Sequence, residues 1–291
     1  MILIIGASGA VGIPTVRHLV ERGAAVRALT SSADSAARLQ RLGVRETVRG
    51  DFRKPDDLRR AAAGTDAVIQ IPPRFTEDEA AIGLSALAAA KEARVGHYVF
   101  VSAFHPQMRQ MDHHWSKLLV EEAVIESGLP FTILQPAMFM QNLRVEWPSI
   151  RDRGIYARPY SPERKLALVD TEDLGEAAAI VLTKPGYRGA TFELASGESL
   201  SHTEMAAIIS EESSKPVRAV ARDLAEWTQW ARQHGWSPWS IEAYLKMCRH
   251  YDAHGYPGGN SLVLSTILGR KPGGFRSFLR RFLAAEAASS N

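Results

Sequence analysis

MILIIGASGAVGIPTVRHL, residues 1–19, runs from four aliphatic side chains into three glycines spaced three apart, then into a helical pattern. An apolar run without alternation suits a strand buried on both faces, as in a parallel sheet. Gly6 allows a tight turn, Gly9 lets a phosphate approach the backbone, and Gly12 lets the next helix pack close to the strand. The helix start then offers free N–H groups and a positive dipole end to a pyrophosphate. The spacing is GxxGxxG, not GxGxxG. With a strand before it and a helix after it, the turn through Gly6, Ala7, Ser8, Gly9, Val11 and Gly12 is predicted to hold a dinucleotide. The alternative is a tight turn used only for packing.

Working outward, short apolar runs over 2–5, 25–29, 46–49, 67–71, 98–101 and 131–134 read as strands. They alternate with helical patterns over 11–22, 35–42, 55–62, 77–93 and 112–127. Repeated β-α units with right-handed crossovers predict an α/β fold, a doubly wound parallel Rossmann sheet. After Pro136 the rhythm breaks. Residues 137–164 read as irregular, 166–169 as a strand, and 171–182 as a helix with Thr171 as its N-cap. The expected organisation is a dinucleotide-binding domain over 1–150, completed by about 165–184. Residues 185–291 form a smaller, mostly helical substrate lobe, and 137–164 contribute to the pocket.

The 291 residues are 45% hydrophobic and 23% charged, the balance of a soluble globular protein. No apolar run reaches membrane-span length, and MILII lacks the basic start of a signal peptide. One cysteine excludes an intrachain disulfide and fits a reducing compartment, so a cytoplasmic location is expected. The net charge of +3 is small and the basic residues are scattered, so neither nucleic acid nor membrane is an expected partner. A small-molecule substrate is. The chain is expected to be a monomer or a homodimer, with Trp115 on an outward helix face.

The loop after the second strand selects between nucleotides. In VRALTSSADSAARL, residues 26–39, Ser31 and Ser32 stand where an acid would hold the adenosine ribose. That favours NADP, with NAD as the alternative; the bland reading is that these serines start a helix. Asp51, after the third strand, either accepts from an adenine amino group or caps the turn before Arg53.

GASGAVG (6–12), VRAL (26–29), GDF (50–52), HYVFVSA (97–103), HHWSK (113–117), SGLPFTILQPAMFMQNL (127–143) and LVDTEDLGEAAAIVLTKP (168–185) together resemble the NmrA-like family of atypical short-chain dehydrogenases/reductases. ILGRKPGGFRSFL (267–279) looks like its C-terminal segment. The resemblance implies NAD(P) binding and a small substrate lobe. It implies Gly6, Ser8, Gly9 and Gly12 at the pyrophosphate, Asp51 and Phe52 near adenine, and Ile71 and Pro72 along the dinucleotide. Ser102, Lys117 and Pro136 fall near the nicotinamide. This chain departs from the common pattern at Ser31 and Gln135, where many members carry Arg, and at His113, which replaces the Tyr of Tyr-x-x-x-Lys.

On a helix of 3.6 residues per turn, His113, Lys117, Val120 and Val124 share one face. Lys117 there suits the nicotinamide ribose hydroxyls. His113 is either a proton donor or a hydrogen-bonding wall, and His114 is expected to be solvated or to stand behind the pair. Ser102 either donates to a substrate oxygen or caps its loop. Adjacent histidines diverge by about 100° and no HExxH or cysteine pair is present, so no metal site is expected. GASGA is not a GxSxG elbow, which argues against a hydrolase. Phe104, Phe139, Met140 and Trp147 are candidate walls of an apolar pocket or core residues. The expected activity is NAD(P)H-dependent reduction of a small apolar carbonyl or quinone. The rival reading is a non-enzymatic NADP(H)-binding redox sensor.

Overall fold

The computed structural model describes residues 1–289. In chain order the first half contains β1 (Ile2–Ile5), α1 (Gly12–Glu21), β2 (Val26–Thr30), α2 (Ala33–Arg41), β3 (Glu46–Arg49) and α3 (Pro55–Ala62). It continues with β4 (Ala67–Gln70), α4 (Glu79–Glu92), β5 (His97–Val101), α5 (Asp112–Glu126) and β6 (Phe131–Pro136). The second half contains β7 (Met138–Phe139), α6 (Leu143–Arg153), β8 (Ile155–Arg158), β9 (Leu166–Val169), α7 (Thr171–Thr183), β10 (Ala190–Leu194) and β11 (Ser199–Leu200). It ends with α8 (His202–Ser213), β12 (Arg218–Ala221), α9 (Leu224–Gln233), α10 (Pro238–His254), α11 (Leu262–Leu268) and α12 (Phe275–Ser289).

The main sheet has the order β10-β6-β5-β4-β1-β2-β3, and every pairing in it is parallel. β1 lies between β2 and β4, with Ile2 opposite Val26 and Ala67. The chain leaves β1 toward β2 on one side and returns to β4 on the other, which opens a crevice at their carboxyl ends. Alternate residues of β1 serve two cores. Ile2 and Ile4 pack with Val16 and Leu19 of α1 and Leu174 and Ala178 of α7. Leu3 and Ile5 pack with Leu58 of α3, Leu87 of α4 and Val120 of α5. Both faces are covered, which is why these strands read as unbroken apolar runs.

Four expectations are corrected. The main sheet does not end before residue 185: β10 is its seventh strand, bound in parallel to β6 with Phe192 opposite Leu134. β9 lies apart from it, in a three-stranded sheet with β11 and β7. Residues 143–153 are helical despite Pro148, because Leu143, Trp147 and Ile150 fall on one face and pack with Met205, Phe278 and Phe282. The cap of α7 is Asp170, not Thr171; its carboxylate accepts from the Glu172 N–H at 2.9 Å. The later elements form a lobe over the carboxyl edge, in which β12 pairs in parallel with β8. The C-terminal arginines are tied down: Arg276 and Arg280 pair with Glu212, and Arg281 with Asp170. Among the described residues no helix is long and apolar enough to cross a membrane.

Candidate active site

The glycine turn is built for a close approach. Gly6 has φ +88, and a Cβ there would overlap the Ile71 carbonyl. A Cβ on Gly12 would overlap the backbone of Gly6 and Ala7, so α1 starts against the turn itself. Around Gly9 a Cβ would meet only the Gly6 carbonyl, at 3.4 Å. The outer face of the turn is therefore open where a phosphate needs backbone N–H groups, and the first turn of α1 carries no acid. These residues fit a dinucleotide. Arg38 of α2 reaches over the turn and donates to the Ser8 carbonyl at 2.7 Å. Ser31 is exposed beside it, and Ser32 caps α2 by accepting from the Ser35 N–H at 3.1 Å. Asp51 caps its own turn, accepting from the Arg53 N–H at 2.9 Å. The Arg53 guanidinium sits 5.1 Å from the centre of the Phe52 ring.

Next along the edge, α5 turns His113 and Lys117 inward, both buried. The Lys117 ammonium donates to Glu79 and lies 3.4 Å from the His113 carbonyl. Glu79, at the start of α4, is 1% exposed, and its second carboxylate oxygen has no partner. Burial pushes its carboxyl above the ordinary range, partly offset by the Lys117 charge. His113 packs 4.4 Å from the Phe75 ring, and its Nδ1 is buried without a partner. Burial, then the neighbouring His114 and Lys117, hold it far below an ordinary histidine, so it is neutral at physiological pH. His114 is not solvated. It is 4% exposed, its Nδ1 lies 3.3 Å from the His105 carbonyl, and burial pushes it down to about 3. Ser102 is buried at the end of β5, beside Glu121, whose oxygens each accept from Gln135 at 2.9 Å. Burial raises Glu121 as well.

Ser102, His113, Lys117 and Pro136 open onto one cleft of about 680 Å3, which also meets Val11, Ile71 and Pro72. It is continuous from the edge of the glycine turn into the C-terminal lobe. Ser31, Ser32, Asp51 and Phe52 lie outside it, and Phe139 lines it. Phe104, Met140 and Trp147 do not. Phe104 is fully buried under Tyr256, whose hydroxyl donates to the Phe104 carbonyl. Met140 and Trp147 belong to the core of the α6 layer. The aromatic walls come instead from the loop after β4 and from the lobe. Trp227 stacks on Tyr244 with centroids 4.1 Å apart, and Phe75 meets Tyr244 at 5.5 Å. The Ser240 hydroxyl of α10 donates to the Phe75 carbonyl at 2.6 Å, which ties that loop to the lobe. Nor is the cleft apolar throughout, since Arg74, Arg158, Arg222 and Glu146 line its far end. Sequence reasoning missed these four, and it missed Glu79; an acid in the first turn of α4 was the available signal for Glu79.

The chain matches the model of the NmrA-like family over residues 1–234. It is 31% identical over 291 residues to the NAD(P)H azoreductase of Xenophilus azovorans, covering 99% of this chain and 100% of that protein. It is 32% identical over 226 residues to the (4-alkanoyl-5-oxo-2,5-dihydrofuran-3-yl)methyl phosphate reductase of Streptomyces griseus, covering 75% of this chain and 76% of that one. The crystal structure of the NADPH-dependent quinone oxidoreductase of Escherichia coli complexed with NADPH superposes with a TM-score of 0.83 at 20% identity, over 97% of this chain and 100% of that one. A family match that begins at the glycine turn and runs through α9, joined to a full-length relative, carries the conclusion: the chain belongs to the NmrA-like family.

Proposed function

We propose that the protein is an NAD(P)H-dependent reductase of a flat carbonyl or quinone acceptor. The observation that carries this reading is the continuity of the glycine turn with an aromatic cleft through Val11, Ser102, His113 and Lys117. The names of the azoreductase and the phosphate reductase, both reductases, support it. Exposed Ser31 and the guanidinium of Arg38 over the turn favour NADP over NAD, because both can donate to a ribose phosphate.

The turn at Gly6, Gly9 and Gly12 would hold the pyrophosphate, with Ile71, Pro72 and Pro136 along the nicotinamide half. When bound, the nicotinamide supplies a hydride. Lys117, held by Glu79 and the His113 carbonyl, keeps its third donor for a ribose hydroxyl. Ser102 positions an acceptor oxygen by donating to it. His113, being neutral, donates or accepts a hydrogen bond and is no store of protons; the proton comes from water at the open side of the cleft. Phe75 and the lobe aromatics sandwich the acceptor and exclude water from its faces.

The test follows NADPH oxidation by its absorbance across a panel of quinones, aldehydes and ketones, for wild type and Lys117→Ala. Quinone-dependent oxidation is expected, and Lys117→Ala is expected to raise the cofactor KM at least tenfold, about one charge-assisted hydrogen bond. No oxidation with any acceptor, with NADPH binding intact, would refute the reductase reading in favour of a redox sensor.

A further inference from the structure

The far end of the cleft carries a charge imbalance that the reduction chemistry does not use. Arg74 follows β4, Arg158 ends β8, and Arg222 follows β12, yet all three line the same cavity. One carboxylate serves them: Glu146 of α6 lies 3.6 Å from Arg158 and 3.3 Å from Arg222. Both members of the Arg158–Glu146 pair are out of water, with the Arg158 side chain 12% exposed and that of Glu146 8% exposed. The Arg158 Nε–H is buried with no partner, and one of its terminal nitrogens donates to the Asn142 carbonyl at 2.9 Å. Arg74 donates to the Asn142 side-chain oxygen at 3.0 Å and has no carboxylate within 4.0 Å among the described residues. Burial and the facing Arg158 charge both push it below its ordinary value. Asp152 and Arg153, also on the wall, do not change the balance. Asp152 is engaged by Arg151 at 2.6 Å, and Arg153 donates to Ser149 at 3.0 Å.

Three guanidiniums sharing one carboxylate in a half-closed space repel one another unless an anion joins them. A guanidinium with a free donor is a fork shaped for a planar or tetrahedral oxyanion. The approach to it is aromatic. From His113 the rings of Phe75 and Tyr244 lead inward, and Tyr244 neighbours Arg158, with Trp227 stacked behind it.

We propose that Arg74, Arg158 and Arg222 form an oxyanion subsite at the far end of the cleft, and that the ligand taken there is a flat aromatic compound bearing a sulfonate, carboxylate or phosphate group. That this compound is the acceptor rests on the reductase reading above. The subsite itself does not. Its oxyanion would sit at the arginines while the reducible end reaches Ser102 and Lys117.

The test uses redox-inert probes, so that it does not depend on turnover. Binding of 2-naphthalenesulfonate and of neutral 2-naphthalenesulfonamide is measured by calorimetry on the protein saturated with NADP. The sulfonate is expected to bind about 10- to 100-fold more tightly, and the preference should shrink with added salt. Arg74→Gln, which strips no carboxylate of its partner, should reduce the preference about tenfold. Arg158→Lys, which keeps a charge beside Glu146 but loses the fork, should reduce it too. Equal binding of the two probes would overturn the proposal. So would sulfonate binding that occurs only without NADP, which would assign the arginines to the cofactor's own phosphates. A sulfonate preference with no NADPH oxidation by any acceptor would sink the reductase reading while sustaining the subsite. If both hold, Arg74→Gln should lower kcat/KM for a naphthoquinone sulfonate about tenfold more than for naphthoquinone.

Discussion

Acid should unfold this protein through histidines that its core keeps neutral. His202, at the start of α8, is 1% exposed and neither ring nitrogen has a partner. It is wedged edge-on between Tyr156 at 4.8 Å and Tyr160 at 5.3 Å, with the Arg158 charge nearby. Burial, then that charge, pushes it down to about 3. Burial brings His114 to about 3 and His97 to about 4, with like charges adding to the effect. An unfolded histidine titrates near 6.5, so between that pH and the folded values the unfolded chain binds more protons and unfolding becomes easier as pH falls. From about pH 7 to about pH 5 each such histidine removes about 2 kcal/mol, so the three together remove about 6 kcal/mol, comparable with the whole stability of many domains. Glu79 and Glu121, raised by burial, act in the opposite sense, since the folded state protonates them first. A paired comparison cancels them. Urea unfolding of wild type and His202→Phe, followed by far-UV circular dichroism at several pH values, should show the phenylalanine variant losing about 2 kcal/mol less on that acid step. Identical pH dependence in the two proteins would refute the assignment of His202 as a buried neutral ring.

Two further outcomes follow from the site. Glu79→Gln leaves the Lys117 ammonium buried against an amide and should cost about 3–5 kcal/mol, a fall in Tm of about 5–8 °C for a chain of this length. Glu79→Gln combined with Lys117→Met should regain most of that in the same calorimetric scan, and a single variant that melts within about 1 °C of wild type would show that the pair is not coupled. Gly12→Val places a side chain into the backbone of Gly6 and Ala7, and should raise the Kd for NADPH at least about tenfold in calorimetry while the circular dichroism of the sheet persists.

The glycine turn was legible because its information is local: three glycines, a strand and a helix lie within the first 21 residues. The inward pair on α5 was legible for the same reason, since 3.6-residue periodicity puts His113 and Lys117 on one face. For His114 the sequence left two readings, solvated or behind the pair, and could not choose between them because the second surface that buries it is distant in sequence. It is covered by the His105 loop and by Tyr256, which meets its ring at 5.7 Å. Glu79 lies 38 positions before Lys117 and finds it only once α4 packs on α5. Phe104 read as either pocket wall or core because it follows the active edge of β5, and it is core. Tyr256, 152 residues later, seals it. The arginine cluster is assembled from three segments far apart in the chain, and no spacing in the sequence encodes such a meeting.

The late arrival of β10 has a consequence for how the protein is made. As the chain emerges from the ribosome, β6 is synthesised well before the strand that will flank it, and in the interval its outer row of N–H and C=O groups is open beside Phe131 and Ile133. Such an edge recruits other strands, and a chain cut near residue 185 lacks the strand that would cover it. The strand that covers this edge of the dinucleotide half is written downstream of the point where the recognisable Rossmann pattern stops.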